Sequence, residues 1–465
     1  MKKPILFVVG TSTAYRIHQP FAAFCVAQGR RVAFVYDREP DAFFETISGD
    51  AAKLGATAVS LDQKIAAGPH KAPWSFFNRA PARAKVFNAL REQNTGARMK
   101  AFSEIIFGRL AAAESILKSI DPGVMVVAED GVAGPLAMIA AAQRKGIPVV
   151  VLPYGYGTQQ DFEIALDAKA AAGELEQPTG PEGDAIRQHA PEWIKTGAHA
   201  GALLFPAEYI VALESAGMHV RNAWVVHGGT ADRLLVESPQ MMALYQSEGL
   251  PAEKLMLTGS PYGDFMLGAL AQDEPARQAF RQPRKIDSGE TRILVSWPPS
   301  YHADRGSQSE FASYLDMTQA VLGSLTRLPG ARVTVSLHPA VSADDRAAIE
   351  SMGVTLSGRY VLELIPLHDV YVSYYSSTIR WAVASGKPVL NYDAYKLGLD
   401  VYDNAPGVVT LRSAEALATR AAELTTSDQA FALLSAEQVR VAPEWGLLDA
   451  PAMPRILDEL ERLAR

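Results

Sequence analysis

The chain has 465 residues, 48% of them hydrophobic and 20% charged, with 44 Lys and Arg against 51 Asp and Glu. That length fits roughly two or three globular domains, and the mildly acidic balance excludes the basic footprint that general nucleic-acid binding needs. The single cysteine, Cys25, excludes an internal disulfide and any zinc site built from cysteines.

Ile5–Val9 reads as a first strand; even with Lys2 and Lys3 before it, the run is too short for a signal-peptide core. Gly10-Thr11-Ser12 opens a helix to about Gln28, Gly29 stops it, and strands follow at Val32–Tyr36 and Ala56–Leu61. Residues 74–119 read as mostly helical. Val124–Ala128 is a buried strand, Pro135–Lys145 a helix ended by Gly146, and Val149–Leu152 a strand. From about 158 to 200 the pattern turns irregular, as in insertions that serve as lids or acceptor loops. Strands resume at Trp224–Val226, Leu234–Val236 and Leu255–Thr258, the last running into Gly259-Ser260-Pro261.

A charged linker over Gln272–Thr291 precedes a second alternating run, with strands at Ile293–Trp297, Val333–Leu337, Val370–Tyr374 and Val389–Tyr392 and a helix over 377–385 stopped by Gly386. Near-continuous apolar strands separated by helices point to parallel sheets covered on both faces. The expected fold class is α/β, with two Rossmann-like doubly wound domains facing across a cleft. They cover residues 1–262, with the insertion, and 263–449; a terminal helix covers 450–465. No run approaches the 18 or more apolar residues of a spanning helix, so a cytoplasmic location is expected, with peripheral attachment to the inner membrane left open.

Ligands of such sheets sit beyond the carboxyl ends of strands, and chemistry-bearing residues cluster there. Tyr374-Tyr375 leads into Ser376, Ser377 and Thr378 ahead of a helix. These hydroxyls could hold a phosphate at the helix N-terminus or serve as an ordinary cap. His338-Pro339 directly follows a strand, so the imidazole is either a hydrogen-bond donor to a leaving phosphate or a turn residue. Glu129-Asp130-Gly131 offers a general base, one carboxyl raised by the other, or else an acidic cluster complementing a helix dipole. Trp297 and Ser300, within Trp297-Pro298-Pro299-Ser300, could shape a donor pocket or make a rigid turn. Tyr154 and Tyr156, interleaved with Gly155 and Gly157, could stack on a sugar, or the glycines could simply form a turn. Gly10, Thr11 and Ser12 lack the glycine spacing of dinucleotide binders, which argues against an NAD enzyme although Asp37 follows the second strand. Between residues 79 and 109, Arg79, Arg83, Lys85, Arg91, Arg98, Lys100 and Arg109 stand against only Glu92 and Glu104. That stretch is a candidate for contact with an anionic acceptor or membrane surface, or a solvated helical face. No metal-ligand motif or Walker loop is present.

Taken together, the strand-end elements resemble GT-B glycosyltransferases, and more narrowly bacterial sialyltransferases and related enzymes that use CMP-activated acidic sugars. Those families carry an acidic-acidic-Gly motif in the first domain, His-Pro in the second and a serine pair before a helix. The counterparts here are Glu129-Asp130-Gly131, His338-Pro339 and Ser376-Ser377, in the same order. The resemblance implies Glu129, or less favourably Asp130, as the base on the acceptor hydroxyl. It implies His338 at the CMP phosphate as binder or general acid, and Ser376 and Ser377 as phosphate donors. It also implies inversion without a metal, and no cofactor beyond the nucleotide-sugar co-substrate. The sugar would be a sialic-acid-like nonulosonic acid or Kdo, the acceptor a glycan or protein. Pro251–Gly263 resembles the late first-domain segment of several polysaccharide enzymes, which adds Gly259 and Ser260 to the donor set; Gly10, Thr11, Ser12, Gly131, Tyr154 and Tyr156 make the acceptor side. Non-hydrolysing UDP-N-acetylglucosamine 2-epimerases also resemble the chain at Gly10-Thr11, His338-Pro339 and Gly386-Lys387-Pro388. They carry an arginine where Ser12 stands and paired glutamates where Arg380 and Trp381 fall. A non-catalytic nucleotide-sugar binding protein is the third reading.

Overall fold

The computed structural model describes residues 3–65, 82–282, 290–374, 376–398 and 400–465. Seven strands form a first sheet: β1 (Ile5–Val9), β2 (Val32–Tyr36), β3 (Thr57–Ser60), β4 (Val124–Val127), β5 (Val149–Val151), β6 (Arg233–Val236) and β7 (Leu255–Leu257). Their order is β3-β2-β1-β4-β5-β6-β7. Ile5 of β1 lies opposite both Val32 and Val124, in parallel register. Every residue of β1, β2 and β4 is buried. That is why these strands are continuous apolar runs instead of alternating ones.

A second sheet comprises β8 (Thr291–Trp297), β9 (Ala331–Leu337), β10 (Thr355–Leu356), β11 (Val370–Ser373), β12 (Val389–Tyr392) and β13 (Val408–Leu411), in the order β10-β9-β8-β11-β12-β13. Its core includes Ile293, Val295, Val321, Leu322, Val372 and Leu390. The chain divides into two compact units: residues up to Val236 with Ala243–Met256 and Met453–Arg465, and Glu237–Met242 with Leu257–Ala452. The terminal helix Ala452–Leu463 therefore belongs almost entirely to the first unit, where Glu461 pairs with Arg30 and Glu459 with Arg233.

The order of each sheet reverses once, at β1/β4 in the first and at β8/β11 in the second. Crevices at such reversals are where doubly wound sheets bind ligands. The reversals place Gly10–Ser12 and Glu129 at one, and Pro298–Ser300, Tyr374, Ser376 and Ser377 at the other.

Two expected elements differ. Trp224–Val226 is a turn, not a strand, with Trp224 and Val225 buried. Its carbonyls are taken by loops: Gly131 N donates to Val226 O at 3.1 Å and Gly228 N to Val225 O at 2.9 Å, so they are not available to a sheet ladder. The 158–200 stretch is largely helical, over Gln159–Ala171 and Gly180–His189, and two isolated bridges to Leu203 close it.

Candidate active site

The β4 strand ends at Val127, and the next residues enter a loop held by close backbone packing. A Cβ on Gly131 would lie 2.3 Å from Val226 O, and one on Gly229 would lie 1.6 Å from Asp130 O. Only glycine allows these two loops to meet. Asp130 is fully buried. Its Oδ2 accepts from Lys254 Nζ at 2.7 Å and from Ala231 N at 2.9 Å. Lys254 is 3% exposed and also donates to the carbonyls of His227 and Gly229. Burial pushes the Asp130 carboxyl up and the Lys254 ammonium down, and their attraction opposes both. Asp130 is thus a structural clamp, which corrects its place among the catalytic candidates.

Glu129 points the other way. Half-buried, it lines a cavity of about 440 Å³ with Tyr154, Tyr156, Phe162, Val226 and His227. That volume is in the range of small-ligand sites. Tyr154 donates from its hydroxyl to Glu129 Oε1 at 3.2 Å. Burial holds the Glu129 carboxyl above its ordinary range; the Tyr154 hydrogen bond works against that shift and the neighbouring Asp130 charge adds to it. A carboxylate held above its ordinary range at the wall of a ligand-sized cavity is equipped to act as a general base.

His227 was not legible as a site residue. It is 2% exposed, stacks edge-on against Tyr245, and is held neutral by burial and by the Lys254 charge, with a pKa lowered to about 3. Phe162 enters the cavity from the Gln159–Ala171 helix, so the expected insertion supplies a wall of the site. On the β1 side, Thr11 caps the Ser12–Ala27 helix by accepting from Ala14 N, Ser12 is exposed, and a Cβ on Gly10 would meet open space.

In the second unit, His338 is exposed at the end of β9. Ala340 N–H donates to its Nδ1 at 3.1 Å, so the neutral ring carries its proton on Nε2. Pro339 and Ser300 are exposed in the adjoining turns. Beyond β11, Thr378 donates to Ser376 Oγ at 2.7 Å and contacts the Tyr371 hydroxyl, while Ser377 is exposed. Thr378 is therefore spent inside the turn, with Ser376 Oγ as its acceptor. The helix that follows is short, Ile379–Ala384, and Tyr375 lies outside the described residues.

Three donor candidates are corrected. Trp297 is 1% exposed, with Nε1 donating to Thr318 at 3.0 Å, so it is core and cannot shape a pocket. Ser260, also buried, caps the Pro261–Ala271 helix by accepting from Tyr262 N, and Gly259 takes a φ of +79° to set up that cap. The basic stretch is largely neutralised within the fold. Arg83 grips Glu214 with two hydrogen bonds, of 2.6 and 2.7 Å, Arg109 pairs with Asp37 and Asp62, and Arg91 covers Phe107. Lys85 and Lys100 are exposed, and Arg79 lies outside the described residues. Among the described residues no group of three or more His, Cys, Asp and Glu gathers as a metal site, and no helix is long and apolar enough to cross a membrane.

No family model matches the chain, and no curated protein matches its sequence. Solved structures do match its fold end to end. The calicheamicin glycosyltransferase CalG4 shares 13% identity over 99% of this chain and 98% of its own, with a TM-score of 0.54. A variant of the wall teichoic acid polymerase TagF, soaked with CDPG, shares 12% over 99% and 88%, with a TM-score of 0.51. The UDP-GlcNAc 2-epimerase from Neisseria meningitidis, bound to UDP-GlcNAc, shares 14% over 99% and 100%, with a TM-score of 0.50. The fold is GT-B.

At such identities the GT-B likeness fixes architecture, and chemistry rests on the side chains. One pair of positions is informative. Arg380 of this GT-B chain is 1% exposed, is ion-paired with Glu237, donates to Ser377 O at 2.6 Å and covers the Trp381 ring. The helix on which the epimerase resemblance expects paired glutamates carries instead a guanidinium already committed to its own unit.

Proposed function

We propose that the protein is a cytoplasmic, inverting, metal-independent glycosyltransferase that moves an acidic sugar from a CMP donor to the hydroxyl of an acceptor. The observation that carries this reading is Glu129, a carboxyl raised by burial, oriented by Tyr154 and set in the wall of a ligand-sized cavity. Glu129 takes the proton of the acceptor hydroxyl as that oxygen attacks the anomeric carbon and the bond to the CMP phosphate breaks. The departing phosphate needs charge neutralisation, which His338 Nε2–H and the hydroxyls of Ser376 and Ser377 can supply. Carriage of the donor by the second unit agrees with the GT-B fold and with the resemblance at His338-Pro339 and Ser376-Ser377.

The test is release of CMP from CMP-N-acetylneuraminate and CMP-Kdo, beside a thermal-shift panel of CMP, UDP and GDP. CMP is expected to stabilise the protein most, and Glu129→Gln to lower turnover about 10²–10⁴-fold with nucleotide affinity intact. Stabilisation by UDP in preference to CMP would overturn the donor, and normal turnover by Glu129→Gln would overturn the base.

A further inference from the structure

The cavity that holds Glu129 carries one negative charge and, among the described residues lining it, no Lys or Arg. Its walls are otherwise aromatic or aliphatic, with Tyr154, Tyr156, Phe162 and Val226 facing the space. Besides the two tyrosine hydroxyls, the uncharged polar side chain of the lining is His227, whose ring is kept neutral and whose Nδ1 has no hydrogen-bond partner although it is buried. The nearby cation, Lys254, has its three N–H donors engaged by Asp130, His227 O and Gly229 O. It has no donor left for a ligand.

From this we infer that the acceptor bound at Glu129 is neutral: a hydroxylated ring with an apolar face, such as an uncharged hexose, and not an acidic glycan. This rests on the reading of Glu129 as the acceptor's base. A second carboxylate in the cavity would face the first with no cation between them, and partial burial strengthens that repulsion. A neutral sugar meets no such cost. Its C–H face packs on the tyrosine and phenylalanine rings, one hydroxyl reaches Glu129, and another can pair with the imidazole, which offers one donor and one acceptor.

Two probes separate these outcomes: 4-methylumbelliferyl β-D-glucoside and the corresponding glucuronide, which differ at C6 by a carboxylate. Titrated against the full-length protein, the glucoside should bind about tenfold more tightly or better. In Glu129→Gln the gap should shrink to about threefold or less, because the opposing charge is gone while the cavity keeps its shape. Ala165→Phe, at an exposed position on the cavity rim, should weaken the glucoside at least about tenfold and leave CMP affinity unchanged. Equal or tighter glucuronide binding, a gap that survives in Glu129→Gln, or binding of neither probe would overturn the inference. CMP is titrated in parallel. If CMP binds while the glucoside preference fails, only the acceptor class falls. If the preference holds while neither CMP nor a CMP-sugar is bound or turned over, the donor reading falls and the acceptor class stands.

Discussion

Glu129 and Asp130 are adjacent carboxylates in opposite surroundings. The division comes from where the chain turns. Glu129 faces a cavity and a phenol; Asp130 faces an ammonium and backbone amides. Because a base must be ionised, activity is expected to rise with pH through the elevated pKa of Glu129. Tyr154→Phe deletes a hydrogen bond that favours the charged form, so the acid limb of the kcat/KM profile should move to higher pH; an unmoved limb would detach Tyr154 from the base. Lys254→Met strips the buried Asp130 of its partner and should cost about 3–5 kcal/mol by chemical denaturation. The double variant Asp130→Asn/Lys254→Met should recover much of that loss, since no uncompensated charge remains. The acidic pair was readable in the sequence as a candidate base, with Glu129 favoured over Asp130 by resemblance. The physical ground for separating them was not, because the partner that clamps Asp130, Lys254, lies 124 residues away. His227 escaped notice for the same reason: its neutrality depends on burial and on that distant lysine.

At the scale of elements, strand ends were legible and loops were not. Ile5–Val9, Val32–Tyr36 and Val389–Tyr392 coincide with the structure because a strand buried on both faces must be an unbroken apolar run. The same rule misreads Trp224–Val226, an apolar triplet that forms a turn and whose Val225 and Val226 carbonyls brace the glycine loops. It also misses β10 and β13, which are short and incompletely buried. Those glycine loops are where the architecture touches the chemistry. Gly131→Ala drives a Cβ against Val226 O, and neither backbone can yield without moving Glu129. The substitution should cost about 1–3 kcal/mol of stability and lower kcat more than it raises KM for the donor. On the β11 side the opposite split is expected. Ser377→Ala, at an exposed turn position, should leave the Tm unchanged and raise the donor KM. Thr378→Ala loses the hydrogen bond to Ser376 and should lose about 1 kcal/mol of stability.

At the scale of the molecule, each unit is a parallel sheet whose strand order reverses once, and every candidate that survives lies at the carboxyl edge of its sheet. The first unit carries a further consequence of deep burial. His18, on the Ser12–Ala27 helix, is fully buried; its Nε2 donates to Leu152 O at 3.3 Å, and burial lowers its pKa to about 4. His227, lowered to about 3, behaves alike. Both fold as neutral rings, whereas an unfolded histidine titrates near 6.5. Below that pH the unfolded chain binds protons that the folded chain refuses, so stability is present above about pH 6.5 and falls as the pH drops toward 4. Each histidine should account for a loss of about 2 kcal/mol between pH 7 and pH 5. Asp37, whose carboxyl burial raises to about 6 despite its pairing with Arg109, acts in the reverse sense and offsets part of it. Urea unfolding at the two pH values isolates the histidine contribution when repeated on His18→Phe. The ring volume is kept and the titration removed, so the variant should lose about 2 kcal/mol less than the wild type on acidification, even though it is less stable at pH 7 for want of the Leu152 hydrogen bond. An equal loss in both proteins would mean that His18 is not held neutral by its surroundings.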